Sequence, residues 1–203
     1  AWNSYEQEVI HRSGSGQLKN LSTPKAVTML MSNIECSNEQ RIDLKDDELN
    51  RVLGGGLVLG SLVLIGGEPG IGKSTLLLQV ALNCKDKRVL YVSGEESASQ
   101  IKMRAERINK GGGNCYVLTE TCVENIIERA TEVQPQIIII DSIQTMTTSD
   151  IDSSAGSISQ IRESAARLGT YAKQSACPII IVGHITKDGN LAGPKILEHM
   201  VDT

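Results

Sequence analysis

The residues Gly67-Glu68-Pro69-Gly70-Ile71-Gly72-Lys73-Ser74 have the spacing G-x-x-x-x-G-K-[ST], which suits them to hold phosphate groups. Glycines let the backbone curl until its N–H groups point at phosphate oxygens. A strand expected before this segment and a helix expected over residues 75–82 make a chance match the weaker alternative. We predict a site for ATP formed by Gly67, Glu68, Pro69, Gly70, Ile71, Gly72, Lys73, Ser74 and Thr75.

Two side chains in this segment have distinct predicted roles. Lys73 would place a compact cation on the β- and γ-phosphates, which makes it a candidate catalytic residue as well as a ligand. Ser74 would offer its hydroxyl to Mg²⁺ at the start of a helix, where the positive end of the helix dipole also favours an anion. The segment therefore predicts a magnesium nucleotide rather than a free phosphate.

An acidic residue at the end of a buried strand supplies a second element. Asp141 directly follows the apolar run Ile137–Ile140. In open α/β sheets the ligands lie outside the carboxyl ends of the strands, so Asp141 can join Ser74 around Mg²⁺ as a Walker B aspartate. The alternative is that Asp141 caps a helix or lies in a solvated loop. Its pairing with the phosphate-binding segment favours the functional interpretation.

Two adjacent carboxylates follow the apolar run Val89–Val92. We expect Glu95 to act as the general base that polarises an attacking water, with Glu96 as a supporting residue. The alternative is that one or both only begin the next helix, where acidic residues are favoured. The sequence leaves open which of the two is the base.

A histidine follows the apolar run Ile179–Val182. His184 could sense the γ-phosphate and relay its state to the following loop. The alternative is that His184 is a structural residue, as a single histidine more often is. Residues 186–194 after it contain Lys187 and are expected to form a mobile, locally basic loop.

Five short apolar runs, separated by helical segments, indicate the elements that position these residues. Runs that are apolar at every position predict strands covered on both faces, and alternation with helices predicts a parallel sheet. We expect an α/β fold, a mostly parallel sheet with helices on both faces. Capping boxes predict three helix starts. The five runs are Leu62–Ile65, Val89–Val92, Cys115–Leu118, Ile137–Ile140 and Ile179–Val182, and the boxes begin at Ser97, Thr121 and Ser157.

Composition limits the classes of function. The 203 residues carry a net charge of −4, and aromatic residues make up 2% with no Phe, so a generally basic or base-stacking nucleic-acid surface is excluded. Any DNA would have to bind at a local patch of the surface, or at a surface that several subunits share. The five cysteines show no C-x-x-C spacing, which argues against a zinc or redox motif in this chain. No apolar stretch approaches the ~18 residues of a membrane span, so we expect a cytoplasmic protein without membrane contact.

Longer motifs carry a family resemblance over about residues 45–203. The segments 53–62 and 66–75 resemble the entry to RecA-like P-loop ATPases. Three further segments resemble the bacterial RadA (Sms) family of DNA repair proteins. They are Tyr91-Val92-Ser93-Gly94-Glu95-Glu96-Ser97, Asp141-Ser142-Ile143-Gln144-Thr145, and Gly183-His184-Ile185-Thr186-Lys187-Asp188-Gly189 with its continuation to Asp202.

This resemblance implies a DNA-dependent ATPase. Family members would bind single-stranded or branched DNA and form homohexameric rings. They would also bind recombination proteins and carry out branch migration. By position, Lys73 and Ser74 would bind ATP and Mg²⁺, Asp141 would be the Walker B residue and Glu95 the catalytic acid, while the loop with Lys187 would contact DNA. A KaiC-like regulatory ATPase acting through protein partners, and a nucleotide-gated binding module with negligible turnover, remain alternatives.

The resemblance also predicts the domain organisation. Residues 1–40 are polar and irregular and are expected to form a linker or arm, and residues 41–203 a RecA-like ATPase domain. Family members begin with a four-cysteine zinc ribbon, so Zn²⁺ is expected only in a finger preceding Ala1. They continue into a Lon-protease-like C-terminal domain, which we expect to be absent from this chain after Thr203.

Overall fold

The computed structural model describes residues 30–33, 40–108, 113–184 and 197–203. The chain divides into two compact units, residues 1–36 and 37–203. In the first, the described part is a single 3₁₀ turn, Met31–Asn33. The predicted arm therefore lies mostly outside the described residues, as does the predicted DNA-contacting loop with Lys187.

The second unit alternates strands and helices along the chain. Its strands are β1 (Arg41–Ile42), β2 (Leu57–Val58), β3 (Leu62–Gly67), β4 (Val89–Ser93), β5 (Cys115–Thr119), β6 (Ile137–Asp141) and β7 (Ile179–His184). Its helices are α1 (Asp47–Val52), α2 (Lys73–Asn83), α3 (Ala98–Ile108), α4 (Val123–Val133) and α5 (Ile158–Ser175), with 3₁₀ turns at Ile143–Thr145 and Leu197–His199. Each of the five predicted strands is present.

Five strands form one parallel sheet in the order β3-β7-β6-β4-β5. This confirms the predicted α/β fold. Because all five strands run in the same direction, their carboxyl ends meet at one edge of the sheet. The register places Ser93 beside Asp141 and Gly67 beside His184. The predicted site residues therefore come from neighbouring strand ends.

The central strands are buried on both faces, as their continuous apolar runs predicted. In β6, Ile138 and Ile140 pack with α4 and α5, whereas Ile137 and Ile139 pack with α2 and α3. The same prediction is wrong for β5, in which Tyr116 and Val117 are exposed. This strand is the last in the sheet and has one neighbour, a position that an apolar run does not reveal.

The three predicted capping boxes have different outcomes. Ser97 and Gln100 form the reciprocal pair of hydrogen bonds. Ser157 accepts from the Gln160 N–H, but the Gln160 side chain bonds to loop backbone around Thr148 instead of returning to the cap. The box at Thr121 is wrong, because the N-cap of α4 is Cys122 without a side-chain cap, and Glu120 rather than Glu124 accepts from the Thr121 N–H.

A small antiparallel pair, β1 with β2, and the short helix α1 precede the main sheet and were not predicted. Asp46 caps α1 by accepting a hydrogen bond from the Leu49 N–H. Within the described part of the chain, no helix is long and apolar enough to cross a membrane.

Candidate active site

The phosphate-binding segment lies between β3 and α2, where the sequence predicted it. Gly70 and Gly72 have φ of 81° and 99°, left-handed backbone that residues with a Cβ rarely adopt. Gly72 is the N-cap of α2 and has no side chain to cap it, so the first N–H groups of the helix are left for another acceptor. Thr75 is exposed on the first turn of α2. This geometry suits an anion at the helix N-terminus.

Lys73 is held inside this loop. Its Nζ donates to the carbonyls of Gly67 and Glu68, each at 2.8 Å, and the residue is 6% exposed. Burial lowers the pKa of Lys73 from its ordinary value, and the charges of Asp141 and Glu95 partly oppose that effect. The ammonium group therefore has a fixed position beside the loop.

Ser74 and Asp141 lie in contact across the site. The Ser74 hydroxyl donates to Oδ1 of Asp141 at 2.9 Å, and Asp141 is buried at the end of β6. A hydroxyl and a carboxylate are the hard oxygen ligands that Mg²⁺ prefers, and Mg²⁺ in nucleotide sites needs only one or two protein ligands beside phosphates and waters. The two residues predicted to bind the metal are thus brought together.

The second oxygen of Asp141 has partners that sequence reasoning missed. Tyr91, fully buried in β4, donates its hydroxyl to Asp141 Oδ2 at 2.5 Å. Burial and the nearby charge of Asp141 raise the pKa of Tyr91 well above its ordinary value, so the phenol remains a donor. Arg104 of α3 approaches the same phenol oxygen at 3.2 Å. The sequence signal that could have indicated this contact is a tyrosine within an otherwise apolar strand, because its buried hydroxyl needs a hydrogen-bond partner.

The two adjacent glutamates point to different partners. Glu95 Oε1 accepts from the Ser142 hydroxyl at 2.6 Å and lies 3.3 Å from His184 Nε2. Glu96 Oε2 lies 2.7 Å from Arg104 Nη2. The predicted candidates Glu95 and His184 thus meet, and Ser142, which sequence reasoning did not single out, joins them. Which glutamate is the base stays a prediction.

The segment after Asp141 packs tightly on the ends of β4 and β7. A Cβ at Gly94 would lie 2.7 Å from Thr145 Cβ and closer still to its hydroxyl, so only glycine fits there. The Gly94 N–H donates to the carbonyl of Asp141 at 3.2 Å, and Gln144 Nε2 approaches the carbonyl of His184 at 3.5 Å. These contacts join the segment with the two glutamates, Asp141 and His184.

The side chains fit a magnesium nucleotide by their chemistry. A buried ammonium group, a helix N-terminus without a side-chain cap and a hydroxyl–carboxylate pair lie at one strand edge. Within the described ranges, His184 Nδ1 is buried without a hydrogen-bond partner, as expected of a group that faces a further ligand. Among the described residues, no cluster of three or more His, Cys, Asp or Glu is placed to hold a metal alone.

Comparison with known proteins agrees with this geometry. A family model described as an AAA domain matches residues 31–190. Proteins named DNA repair protein RadA are 48% identical in Bacillus subtilis and 47% in Pseudomonas aeruginosa, each over 100% of this chain and 45% of the relative. The one in Listeria monocytogenes is 54% identical over 85% of this chain and 38% of the relative.

This chain spans less than half the length of these relatives. The matched residues nevertheless include the phosphate-binding segment, Asp141 and the glutamate pair, and the family model covers more than half of the chain. The five-stranded parallel sheet is the RecA-like core that the sequence predicted. The chain therefore belongs to the AAA domain family, and it resembles the ATPase core of the bacterial RadA (Sms) proteins.

Proposed function

We propose that this chain is the ATPase core of a DNA repair protein, hydrolysing ATP with Mg²⁺ when single-stranded or branched DNA is bound. The observation that carries the proposal is the Ser74–Asp141 contact at 2.9 Å beside the buried ammonium of Lys73. The printed name of the relatives, DNA repair protein, supports the biological setting. We propose the bacterial cytoplasm as the place of action, since the chromosome lies there.

The residues divide the chemistry among them. The loop from Gly67 to Thr75 binds the phosphates, with Lys73 on the β- and γ-phosphates. Ser74 and Asp141 hold Mg²⁺, which when bound neutralises charge that develops on the phosphate oxygens. Glu95 accepts the proton of the attacking water, whose oxygen bonds to the γ-phosphorus as the bond to the ADP oxygen breaks.

The contacts of the two glutamates support Glu95 as the base. Its side chain is 45% exposed at the site and touches a hydroxyl and an imidazole, so it can reach a water molecule. Glu96 is engaged by Arg104 at 2.7 Å and is better placed as the supporting residue. His184, beside Glu95, would report the state of the γ-phosphate to the loop that follows it.

DNA binding and assembly extend the proposal to a longer protein. Because the net charge is −4, the DNA contact would be local, and the loop with Lys187 is our candidate. We propose a homohexameric ring that carries out branch migration on recombination intermediates and binds recombination proteins. We also propose that an arginine finger comes from a neighbouring subunit, because the sequence shows no arginine that is an evident finger in cis. Zn²⁺ would belong to a finger outside this chain, with residues 1–40 as the arm and 41–203 as the ATPase domain.

The test is ATP hydrolysis by the purified protein with and without single-stranded DNA, beside Lys73→Ala. We expect DNA to raise the wild-type rate and Lys73→Ala to abolish both rates. DNA binding should weaken as salt increases, because phosphate contacts release counterions. A rate unaffected by DNA, without salt-dependent DNA binding, would contradict the repair function and favour a KaiC-like regulatory ATPase. Nucleotide binding without turnover would favour a binding module.

A further inference from the structure

Helix α3 carries a cation on the side that faces the sheet. Ile101 is fully buried there, and Arg104, Ala105 and Ile108 follow at helical spacing. Three of these four positions are apolar and pack with the core on that face of the sheet. Arg104 interrupts this stripe and is only 19% exposed. A charged residue in such a position needs partners that compensate for its lost hydration.

The partners of Arg104 are site residues. Its Nη2 lies 2.7 Å from Glu96 Oε2, 3.2 Å from the Tyr91 hydroxyl oxygen and 3.9 Å from Asp141 Oδ2. One guanidinium nitrogen therefore touches the second glutamate, the Walker B aspartate and the phenol that bonds to that aspartate. Packing against the sheet alone would not require an arginine to contact these three polar groups.

These contacts define how Asp141 is oriented. Oδ2 is occupied by the Tyr91 hydroxyl with Arg104 behind it, which leaves Oδ1 directed at Ser74. The Tyr91 hydroxyl donates to Asp141 Oδ2 at 2.5 Å, with the Ser74 carbonyl a longer contact at 3.4 Å, and the phenol oxygen accepts from Arg104 at 3.2 Å. The guanidinium thus fixes the direction of the phenol hydrogen bond. Hydrogen bonds behind a metal ligand of this kind set the orientation of the ligand.

The same arginine distinguishes the two glutamates. Glu96 and Asp141 follow adjacent strands and both lie within 3.9 Å of Arg104 Nη2, so their negative charges share one cation. Glu95 contacts Ser142 and His184 instead. Without Arg104, the half-buried Glu96 and the buried Asp141 would lose the cation that they share, and two like charges near one another oppose ionisation.

We propose that Arg104 is a positioning residue for ATP hydrolysis. It binds Glu96 and, through Tyr91, orients Asp141, so that Oδ1 of Asp141 is presented with Ser74 to the metal while Glu95 is left to act on water. This inference rests on the proposed ATPase function. It assigns Arg104 no contact with nucleotide, which separates its role from that of an arginine finger.

Two measurements on Arg104→Met test this role. One is kcat and KM for ATP, and the other is the MgCl₂ concentration that half-saturates binding of a fluorescent ATP analogue, which needs no turnover. We expect the Mg²⁺ affinity to fall by about 10- to 100-fold, the usual effect of losing a group behind a metal ligand, and kcat to fall with it. Affinity for the analogue in EDTA should stay within about twofold, because Arg104 does not contact phosphate.

Matched variants separate positioning from stability. Arg107 is exposed on the same helix, so Arg107→Met should keep wild-type kcat and Mg²⁺ dependence. Arg104→Met/Glu96→Gln should recover part of the lost Mg²⁺ affinity, because it removes the uncompensated charge as well. Tyr91→Phe should lower Mg²⁺ affinity too, and it serves as the decisive variant if Arg104→Met fails to fold.

The outcomes distinguish this inference from the function on which it rests. Wild-type protein that neither binds nor hydrolyses ATP contradicts the proposed function itself. Active wild-type protein, with Mg²⁺ dependence unchanged in both Arg104→Met and Tyr91→Phe, overturns the positioning role. An Arg104→Met defect that Glu96→Gln leaves uncorrected, accompanied by normal Mg²⁺ dependence in Tyr91→Phe, also overturns it.

Discussion

The Ser74 hydroxyl lies 2.9 Å from Asp141 Oδ1, although 67 positions separate the two residues in the chain. The contact exists because α2 begins after the short phosphate-binding loop that follows β3, while Asp141 ends β6 at the same edge of the sheet. A hydroxyl and a carboxylate at this separation can share one small divalent cation.

Removal of either partner should weaken the magnesium site. For Ser74→Ala and Asp141→Asn we expect the affinity for ATP in MgCl₂ to fall by about tenfold or more, with a smaller change in EDTA. Titration calorimetry with and without MgCl₂ measures both. Thr170→Ala is the control, since the Thr170 hydroxyl donates to the carbonyl of Ala166 in its own helix, away from the site. Equal losses with and without Mg²⁺ would assign the pair a purely structural role.

The two glutamates should differ in kinetics. Glu95→Gln keeps the shape of the side chain but cannot accept a proton, so we expect kcat to fall by about 10²- to 10⁴-fold with ATP binding retained. Glu96→Gln should lose less, because Glu96 pairs with Arg104 rather than with water. Single-turnover hydrolysis and equilibrium binding measure the two effects. If Glu96→Gln is inactive and Glu95→Gln is not, the assignment of the base is reversed.

Gly94 should tolerate no side chain. In Gly94→Ala the new methyl group would overlap Thr145, and we expect unfolding to require about 1–3 kcal/mol less free energy, as in other overpacked sites. Chemical denaturation measures this change. Gly169→Ala in α5 is the control, because its nearest neighbour, Leu62 Cδ2, would lie 3.3 Å away at the end of a flexible side chain. A Gly94→Ala protein as stable as wild type would show that the 142–145 segment moves easily.

Alkaline pH should destabilise the fold through a buried thiol. Burial raises the pKa of Cys177 to about 12 from an ordinary value of 9.0. The unfolded chain therefore loses this proton first, so the stabilising effect is complete below pH 9 and is lost as pH rises towards 12. Between pH 9 and pH 12 the unfolding free energy of Cys177→Ala should fall less steeply with pH than that of the wild type. The two slopes should differ by about 1 kcal/mol per pH unit. Denaturation at pH 8, 9.5 and 10.5 tests this. Parallel curves for variant and wild type would contradict it.

Local patterns in the sequence predicted the fold and much of the site. The phosphate-binding segment is contiguous, and Asp141 follows a run of four isoleucines, so short spacings were sufficient for both. Contacts between distant elements were not predictable in this way. Tyr91 and Arg104 meet Asp141 only because β4 lies beside β6 and α3 packs over them.

Two predictions were wrong, the burial of β5 on both faces and the capping box at Thr121. The exposure of Tyr116 depends on the strand order, which places β5 at the edge of the sheet. At the start of α4, the carboxylate of Glu120 accepts from the Thr121 N–H, the bond that a capping box assigns to Glu124, and the helix begins one residue later with Cys122 as its N-cap. Neither the strand order nor this competition is visible in an apolar run or a capping pattern.

The central claim is that a triphosphate binds against Lys73, Ser74 and Asp141. Calorimetric titration of the purified protein with ATP and MgCl₂, beside Lys73→Ala, tests it most directly. We predict one nucleotide bound per chain by wild type and an affinity at least about tenfold lower in Lys73→Ala. Equal binding by both proteins, or no binding by wild type, would contradict the claim.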